Sequence, residues 1–124
     1  MRMDWERFEE LVVEAIEGLP QPFLDALENV AVVVEDWPDR EALASVGVHR
    51  REDLLGLYQG IPQTGRTTGY TLVPPDKISI YRYPILMRCW TEDQVRDLVG
   101  RVVRHEIAHH FGIDDDRLIE LGAY

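Results

Sequence analysis

Apolar residues recur at helical spacing in the first part of the chain. They form a stripe that starts after Asp4, a plausible N-cap, and stops before Gly18 and Pro20. Its members are Trp5, Phe8, Leu11, Val12, Ala15 and Ile16, and the opposite face is rich in glutamate. A short second helix can begin at Pro22. The pattern therefore predicts an amphipathic first helix with a solvated acidic face, followed by a second, shorter helix.

Three stretches have strand-like patterns. Residues 30–35 are β-branched and almost continuously apolar, which predicts a strand buried on both faces at the centre of a sheet. Residues 54–59, LLGLYQ, and residues 77–83, KISIYRY, predict a second and a third strand. The connection over residues 60–76 is long and rich in Gly, Thr and Pro. It is predicted to be either a surface loop or, over residues 67–73, an added edge strand.

Capping signals predict two further helices. Asp39 is a possible cap for the stretch EALASVG, which favours a short helix over a loop. Thr91 marks a stronger helix start, because Gln94 lies three residues on and can complete a capping box. Trp90 and Val95 are spaced to form a hydrophobic staple across this start. A long helix with apolar stripes is predicted to follow.

The long helix ends in the most informative stretch of the chain, RVVRHEIAHHFGIDDD, which holds three of the four histidines. His105 and His109 lie four residues apart, so on a helix both imidazoles project from one face, with Glu106 beside them. This H-E-x-x-H spacing supplies two ligands for one zinc ion and a carboxylate that can take a proton from water. Gly112 can adopt the left-handed conformation that ends a helix and turns the chain back. Asp115 is then the natural third ligand.

Other residues compete for places at this site. Asp114, Asp116 and Glu120 are alternatives as the third ligand. His110 follows a ligand directly, and on an ideal helix it points about 100° away from that ligand. We therefore predict that it makes hydrogen bonds and does not bind the metal. His49 is the one histidine outside the motif, and it is predicted to be exposed or to act as a cap.

The stretch HEIAHHFGIDDDRLIELG resembles the small single-domain zincin-like zinc metallopeptidases, minimal relatives of the metzincins with the motif HExxHxxGxxD. The resemblance implies an α+β, zincin-like fold in which a small mixed β-sheet packs against the N-terminal helix and the metal-binding helix. It also implies zinc ligation by His105, His109 and Asp115, with Glu106 as the general base. The larger metzincins have a Met-containing turn beneath the metal, whereas none of the nine residues after Asp115 is Met.

The same resemblance implies hydrolysis of a peptide bond in a peptide or protein substrate. Residues 67–73 are then the candidate for contact with an extended substrate. The donor that stabilises the oxyanion is left open among Tyr58, Tyr70, Tyr81, Tyr83, Tyr124 and His110. Two alternatives remain: a zinc-binding interaction module with little or no peptidase activity, and, ranked lower, a metal-dependent RNA hydrolase.

Composition narrows the class of partner. The chain has 124 residues without a long shift in composition, which predicts one domain over residues 1–124. Its net charge of -10 disfavours a nucleic-acid or anionic-membrane partner, because phosphate binding depends on clustered Lys and Arg. The arginines are expected to be scattered over the surface. Those considered are Arg50, Arg51, Arg66, Arg82, Arg88, Arg101 and Arg104.

The single cysteine and the start of the chain predict a compartment. Cys89 cannot form an internal disulfide, and it is predicted to be buried and unreactive in a reducing environment. The first residues lack the apolar stretch of a secretory signal, and no run approaches the ~20 apolar residues that span a bilayer. We therefore expect a cytoplasmic protein, and a monomer.

Overall fold

The computed structural model describes residues 1–60 and 76–112, together with residues 116 and 120. The helices there are α1 (Trp5–Glu17), α2 (Gln21–Ala26), α3 (Arg40–Val46), α4 (Arg82–Leu86) and α5 (Glu92–Phe111), and a 3-10 turn covers Arg51–Asp53. The strands are β1 (Val30–Glu35), β2 (Gly56–Gly60) and β3 (Asp76–Tyr81). The predicted α+β class is confirmed.

The strands form one mixed sheet in the order β1-β3-β2. β1 runs parallel to β3, with Val32 beside Ile78, and β2 runs antiparallel to β3, with Tyr58 beside Ile78. The central strand of the described sheet is therefore β3, and the prediction that residues 30–35 occupy the centre is wrong. In the described part of the chain β1 pairs with β3 alone, and all six of its residues are only half-buried. An apolar run indicates contact with a core but does not determine the order of strands.

The third strand ends earlier than its pattern predicts. β3 ends at Tyr81, and residues 82–83 form the first turn of α4. Arg82 is anchored by polar contacts at this point, because its Nε donates to Oδ1 of Asp36 at 2.8 Å and its Nη1 donates to the carbonyl of Met3 at 2.7 Å. Arg82 is 9% exposed, so the expectation that it lies on the surface is also wrong.

Hydrogen bonds confirm the predicted starts of the first and third helices. Asp4 accepts from the amide of Arg7 at 2.8 Å, and this bond caps α1. Asp39 accepts from the amide of Ala42 at 2.8 Å, so the stretch after it is a helix and not a loop. The short helix α2, predicted to begin near Pro22, is also present. Local side-chain caps thus account for the starts of α1 and α3.

The start of α5 is capped as predicted, but by a variant of the expected box. Thr91 accepts from the amide of Gln94 at 3.1 Å, and the Gln94 side chain accepts from the amide of Trp90 at 2.7 Å. Trp90 is 85% exposed, so the predicted staple with Val95 is wrong; Val95 is buried without help from the indole.

Neither α5 nor any other described helix is long and apolar enough to cross a membrane.

Helices α1 and α5 pack together against one face of the sheet, as the resemblance implies. Their shared core includes Phe8, Leu11, Ile78, Ile80, Val99, Val103 and Ile107. At the rim, Nη2 of Arg7 on α1 lies 2.7 Å from Oε1 of Glu92 on α5. Cys89 also belongs to this core and is 3% exposed, which confirms that it is buried. Burial raises the pKa of its thiol. The core holds α5 rigidly along most of its length.

Candidate metal centre

Helix α5 carries the metal motif in its last two turns. His105 and His109 lie one turn apart, with Glu106 directly after the first histidine. His105 and Glu106 are half-buried, and His109 is exposed. Gly112 ends the helix with a φ of 68°, in the left-handed region. The predicted helix and its glycine stop are therefore both confirmed.

Glu106 is held by the sheet. The amide of Tyr58 on β2 donates to Oε1 of Glu106 at 3.0 Å. Burial raises the pKa of the Glu106 carboxyl, while the bond from Tyr58 and the nearby His109 partly lower it. A carboxyl group whose pKa is raised accepts a proton more readily, which suits a general base.

The close approach of α5 to β2 depends on Gly56. A Cβ atom at Gly56 would lie 2.5 Å from Cγ1 of Val102 and 3.1 Å from the carbonyl oxygen of Ser79. A glycine in a strand often marks such a close approach. Val102 lies on α5 one turn before Glu106, so the missing side chain at Gly56 keeps β2 within hydrogen-bonding reach of the carboxylate. β2 spans residues 56–60 and not the predicted 54–59.

The side chain of Tyr58 joins β2 to the end of α5. Its ring stacks on His110 with centroids 3.9 Å apart, and its hydroxyl donates to Oδ2 of Asp76 at 2.7 Å. Nε2 of His110 lies 3.8 Å from the same oxygen. Burial and the bond to Asp76 raise the pKa of Tyr58 to about 12. We call Tyr58, Asp76 and His110 the tyrosine cluster. Sequence reasoning missed Asp76, since an acid after two prolines is typical of a turn.

The described residues do not supply a third ligand to His105 and His109. Asp115, the predicted ligand, and its neighbour Asp114 both lie outside them, so ligation by Asp115 stays a prediction. Asp116 and Glu120 are described, and both are exposed. Within the described ranges, no group of three or more His, Cys, Asp or Glu side chains could hold a metal ion. Neither Asp116 nor Glu120 therefore completes a site with the two histidines in this structure.

The donor chemistry of the described residues fits zinc. Two imidazoles one helical turn apart are ligands that Zn²⁺ accepts, whereas Mg²⁺ and Ca²⁺ prefer oxygen. The exposure of His109 leaves this side of α5 open to solvent and to a further ligand. Glu106 accepts from the Tyr58 amide at Oε1, and His109 is near enough to lower the pKa of its carboxyl.

Three of the candidate oxyanion donors lie in described parts of the sheet and of α4. The hydroxyl of Tyr58 donates a hydrogen bond to Asp76. Tyr81 is 2% exposed, and burial raises its pKa to about 12, with smaller effects of acidic groups that include Glu106. The hydroxyl of Tyr83 accepts from Arg82 at 3.1 Å, and its ring stacks on Trp37. Each of these tyrosines is thus buried or engaged by other residues.

Several predicted positions lie outside the described residues. They are Tyr70, Tyr124 and the possible edge strand at residues 67–73. Their roles in binding an oxyanion or a substrate stay predictions. His49 follows α3 and is exposed, as expected.

The family model described as zincin-like metallopeptidase matches residues 27–123 of the chain. The match runs from just before β1 to beyond the end of α5, so it includes the sheet, the tyrosine cluster and the H-E-x-x-H motif. The mixed sheet and its helices are consistent with the fold of that family, which generally binds zinc. No curated protein matches the chain.

Proposed function

Since the chain belongs to the zincin-like metallopeptidase family, we propose that it is a zinc-dependent peptidase. The observation that carries the proposal is the contact between Tyr58 and Glu106, whose atoms lie 3.0 Å apart. It fixes a half-buried carboxylate next to the two histidines of a metal motif. Hydrolysis of an amide bond needs such a group to take a proton from water and return it to the leaving amine.

We assign zinc ligation to His105, His109 and Asp115. A zinc ion held there would supply Lewis-acid polarisation of the scissile carbonyl and lower the pKa of water. The chain itself contributes rigidity, because α5 is fixed by buried residues such as Val103 and Ile107 on either side of the first histidine. Ligands on a well-packed helix keep the geometry that catalysis needs.

Glu106 acts in this proposal first as general base and then as general acid. The amide of Tyr58 occupies Oε1, which leaves Oε2 to accept the proton. The anchoring group belongs to the main chain of a strand, so it cannot rotate away as a side chain can. The carboxylate is thus oriented before a substrate arrives, which lowers the cost of reorganisation during the reaction.

The substitution Glu106→Gln tests the proposal. Glutamine keeps an oxygen that can accept from Tyr58 but cannot take a proton from water. We expect unchanged zinc content and a loss of about 10²- to 10⁴-fold in cleavage of an unbiased peptide library. Glu9→Gln is the matched control, because Glu9 is an exposed carboxylate on α1. This control should retain both zinc and cleavage.

The alternatives give different results in the same assay. A zinc-binding interaction module would hold zinc in the wild-type chain and cleave no member of the library. An RNA hydrolase would cleave an RNA substrate and no peptide. Either outcome contradicts the proposal, and so does peptide cleavage that is equal in Glu106→Gln and in the wild type.

A further inference from the structure

A cleft of about 330 Å³ lies between the end of α1 and the middle of α5, apart from the metal motif. Three arginines and two acidic residues line it: Arg96, Arg101, Arg104, Glu14 and Asp97. The chain as a whole carries a net charge of -10. Positive side chains thus outnumber negative ones in this cleft, although the chain as a whole is acidic. This clustering also departs from the expectation that the arginines are scattered singly.

The charged side chains of the cleft do not all form ion pairs to the same extent. Nη1 of Arg96 lies 2.6 Å from Oδ1 of Asp93, and its Nη2 lies 3.5 Å from Oε1 of Glu14. Glu14 in turn also lies 3.8 Å from Arg7. These contacts engage the carboxylate of Glu14 and the guanidinium of Arg96 with each other and with residues outside the cleft. Among the described residues that line the cleft, Asp97 is the acid that remains to balance Arg101 and Arg104.

Arg104 is the least satisfied of the three arginines. Its Nε is buried and has no hydrogen-bond acceptor among the described residues. The guanidinium folds back over Gly100, where an added Cβ atom would lie 3.2 Å from Nη1. A buried donor without an acceptor is unfavourable, so a group that accepts from Nε would be bound favourably.

The end of α1 offsets only part of this positive charge. Gly18 lies in the lining of the cleft, directly after the last residue of α1. The carboxyl end of a helix carries about half a negative charge in effect. This partial charge and Asp97 face two full charges on Arg101 and Arg104. The cleft therefore keeps a positive balance, of a size that suits a single anionic group.

We propose that this cleft binds a small oxyanion group, a carboxylate or a phosphate, through Arg101 and Arg104. A planar guanidinium offers parallel N–H donors that match two oxygens of either group. Arg104 supplies the buried donor, and Arg101 supplies an exposed charge at the mouth of the cleft. The lining of the cleft includes neither His105 nor His109, although Arg101 lies one helical turn before His105 on α5.

The test is a titration of the 124-residue chain, followed by NMR of the arginine Nε–H groups. Inorganic phosphate and acetate are added separately, at ionic strength held constant with chloride. We expect the Arg104 signal to shift and to saturate with at least one of the two ions. The ion that gives the stronger response shows whether the cleft binds a phosphate or a carboxylate group. Arg101→Met should weaken that response about tenfold or more, as expected for loss of a charge-assisted hydrogen bond. Arg2→Met, an exposed arginine at the chain start, is the control and should leave the response unchanged.

The measurement on the wild-type chain needs no substitution, so it stands even where a variant folds poorly. Three results would overturn the proposal: no saturable shift at Arg104, a shift that chloride reproduces, or a response that Arg101→Met leaves intact. A phosphate response at His105 and His109 without one at Arg104 would also overturn it. The outcome does not depend on peptidase activity, so failure of one proposal leaves the other in place.

Discussion

The amide of Tyr58 donates to Oε1 of Glu106 across a sequence separation of 48 residues, at 3.0 Å. This bond connects the main chain of β2 to the residue that we propose as general base. The position of Glu106 consequently depends on the distance between β2 and α5, and not on α5 alone. Substitutions that change this distance should affect both stability and hydrolysis.

Gly56→Ala should separate β2 from α5. The new Cβ would lie 2.5 Å from Cγ1 of Val102, so the helix or the strand must move. We expect a loss of about 1–3 kcal/mol in the free energy of unfolding, as for overpacked cores, together with reduced hydrolysis. Urea denaturation measures the first effect. Gly60→Ala is the matched control, because its Cβ would make an ordinary contact at 3.5 Å with Asp76. Equal stability of the two variants would contradict the prediction.

Tyr58→Phe should destabilise the tyrosine cluster without displacing Glu106. The substitution removes the hydroxyl that donates to Asp76 at 2.7 Å but keeps the amide and a ring that can stack on His110. We expect a loss of about 0.5–1.5 kcal/mol in the free energy of unfolding. Zinc content and hydrolysis should remain close to wild type. Loss of hydrolysis as large as in Glu106→Gln would show instead that the phenol takes part in the chemistry.

The stability of the protein should fall at alkaline pH in part because of Tyr58. The pKa of an unfolded tyrosine is about 10, whereas that of Tyr58 in the folded chain is raised to about 12. Between these values the unfolded state loses its proton first, so the free energy of unfolding decreases as pH rises from about 10 towards 12. Tyr81, also raised to about 12, should contribute in the same direction. The free energy of unfolding, obtained from denaturation curves across this range, should fall less steeply with pH in Tyr58→Phe than in the wild type. An unchanged dependence on pH would refute the assignment of a raised pKa to Tyr58.

Arg82→Met should loosen the junction of β1, α4 and the N-terminal segment. The substitution removes donors to Asp36 and to the carbonyl of Met3 while keeping a similar apolar length. We expect a loss of about 1–3 kcal/mol in the free energy of unfolding, because the Met3 carbonyl and the carboxylate lose their partner. Thermal and urea unfolding measure it. Arg2→Met should be neutral, and a similar loss in that control would point to a nonspecific effect of charge.

Removal of any assigned zinc ligand should release the metal. We expect near-stoichiometric zinc in the wild-type protein and a large loss in His105→Ala, His109→Ala and Asp115→Ala. The loss of affinity should exceed the roughly 10- to 100-fold effect of residues that only support ligands. Metal analysis of the purified proteins measures this. His49→Ala is the control, since this exposed histidine lies outside the motif. Zinc retained by Asp115→Ala would assign the third position to another residue.

Local features of the chain were predictable where a few neighbouring residues determine the structure. The caps at Asp4, Asp39 and Thr91 and the stop at Gly112 are confirmed, because each depends on atoms within about one helical turn. The H-E-x-x-H spacing belongs to the same class, since the helix alone brings residues i and i+4 to one face. The packing of α1 and α5 on the sheet, which the resemblance implies, agrees with the apolar stripes of the two helices.

The sequence by itself determined helices α1, α2, α3 and α5, the strand-forming segments and the spacing of the metal motif. Only the tertiary structure decided that β3 is central in the described sheet, that Arg82 is buried, and that Tyr58 holds Glu106. These features join residues far apart in the chain, and their geometry depends on how whole elements pack. Gly56 illustrates the reason. A Cβ atom there would lie 2.5 Å from Cγ1 of Val102, and this clash arises only because α5 packs across β2. No periodicity within either segment encodes that contact.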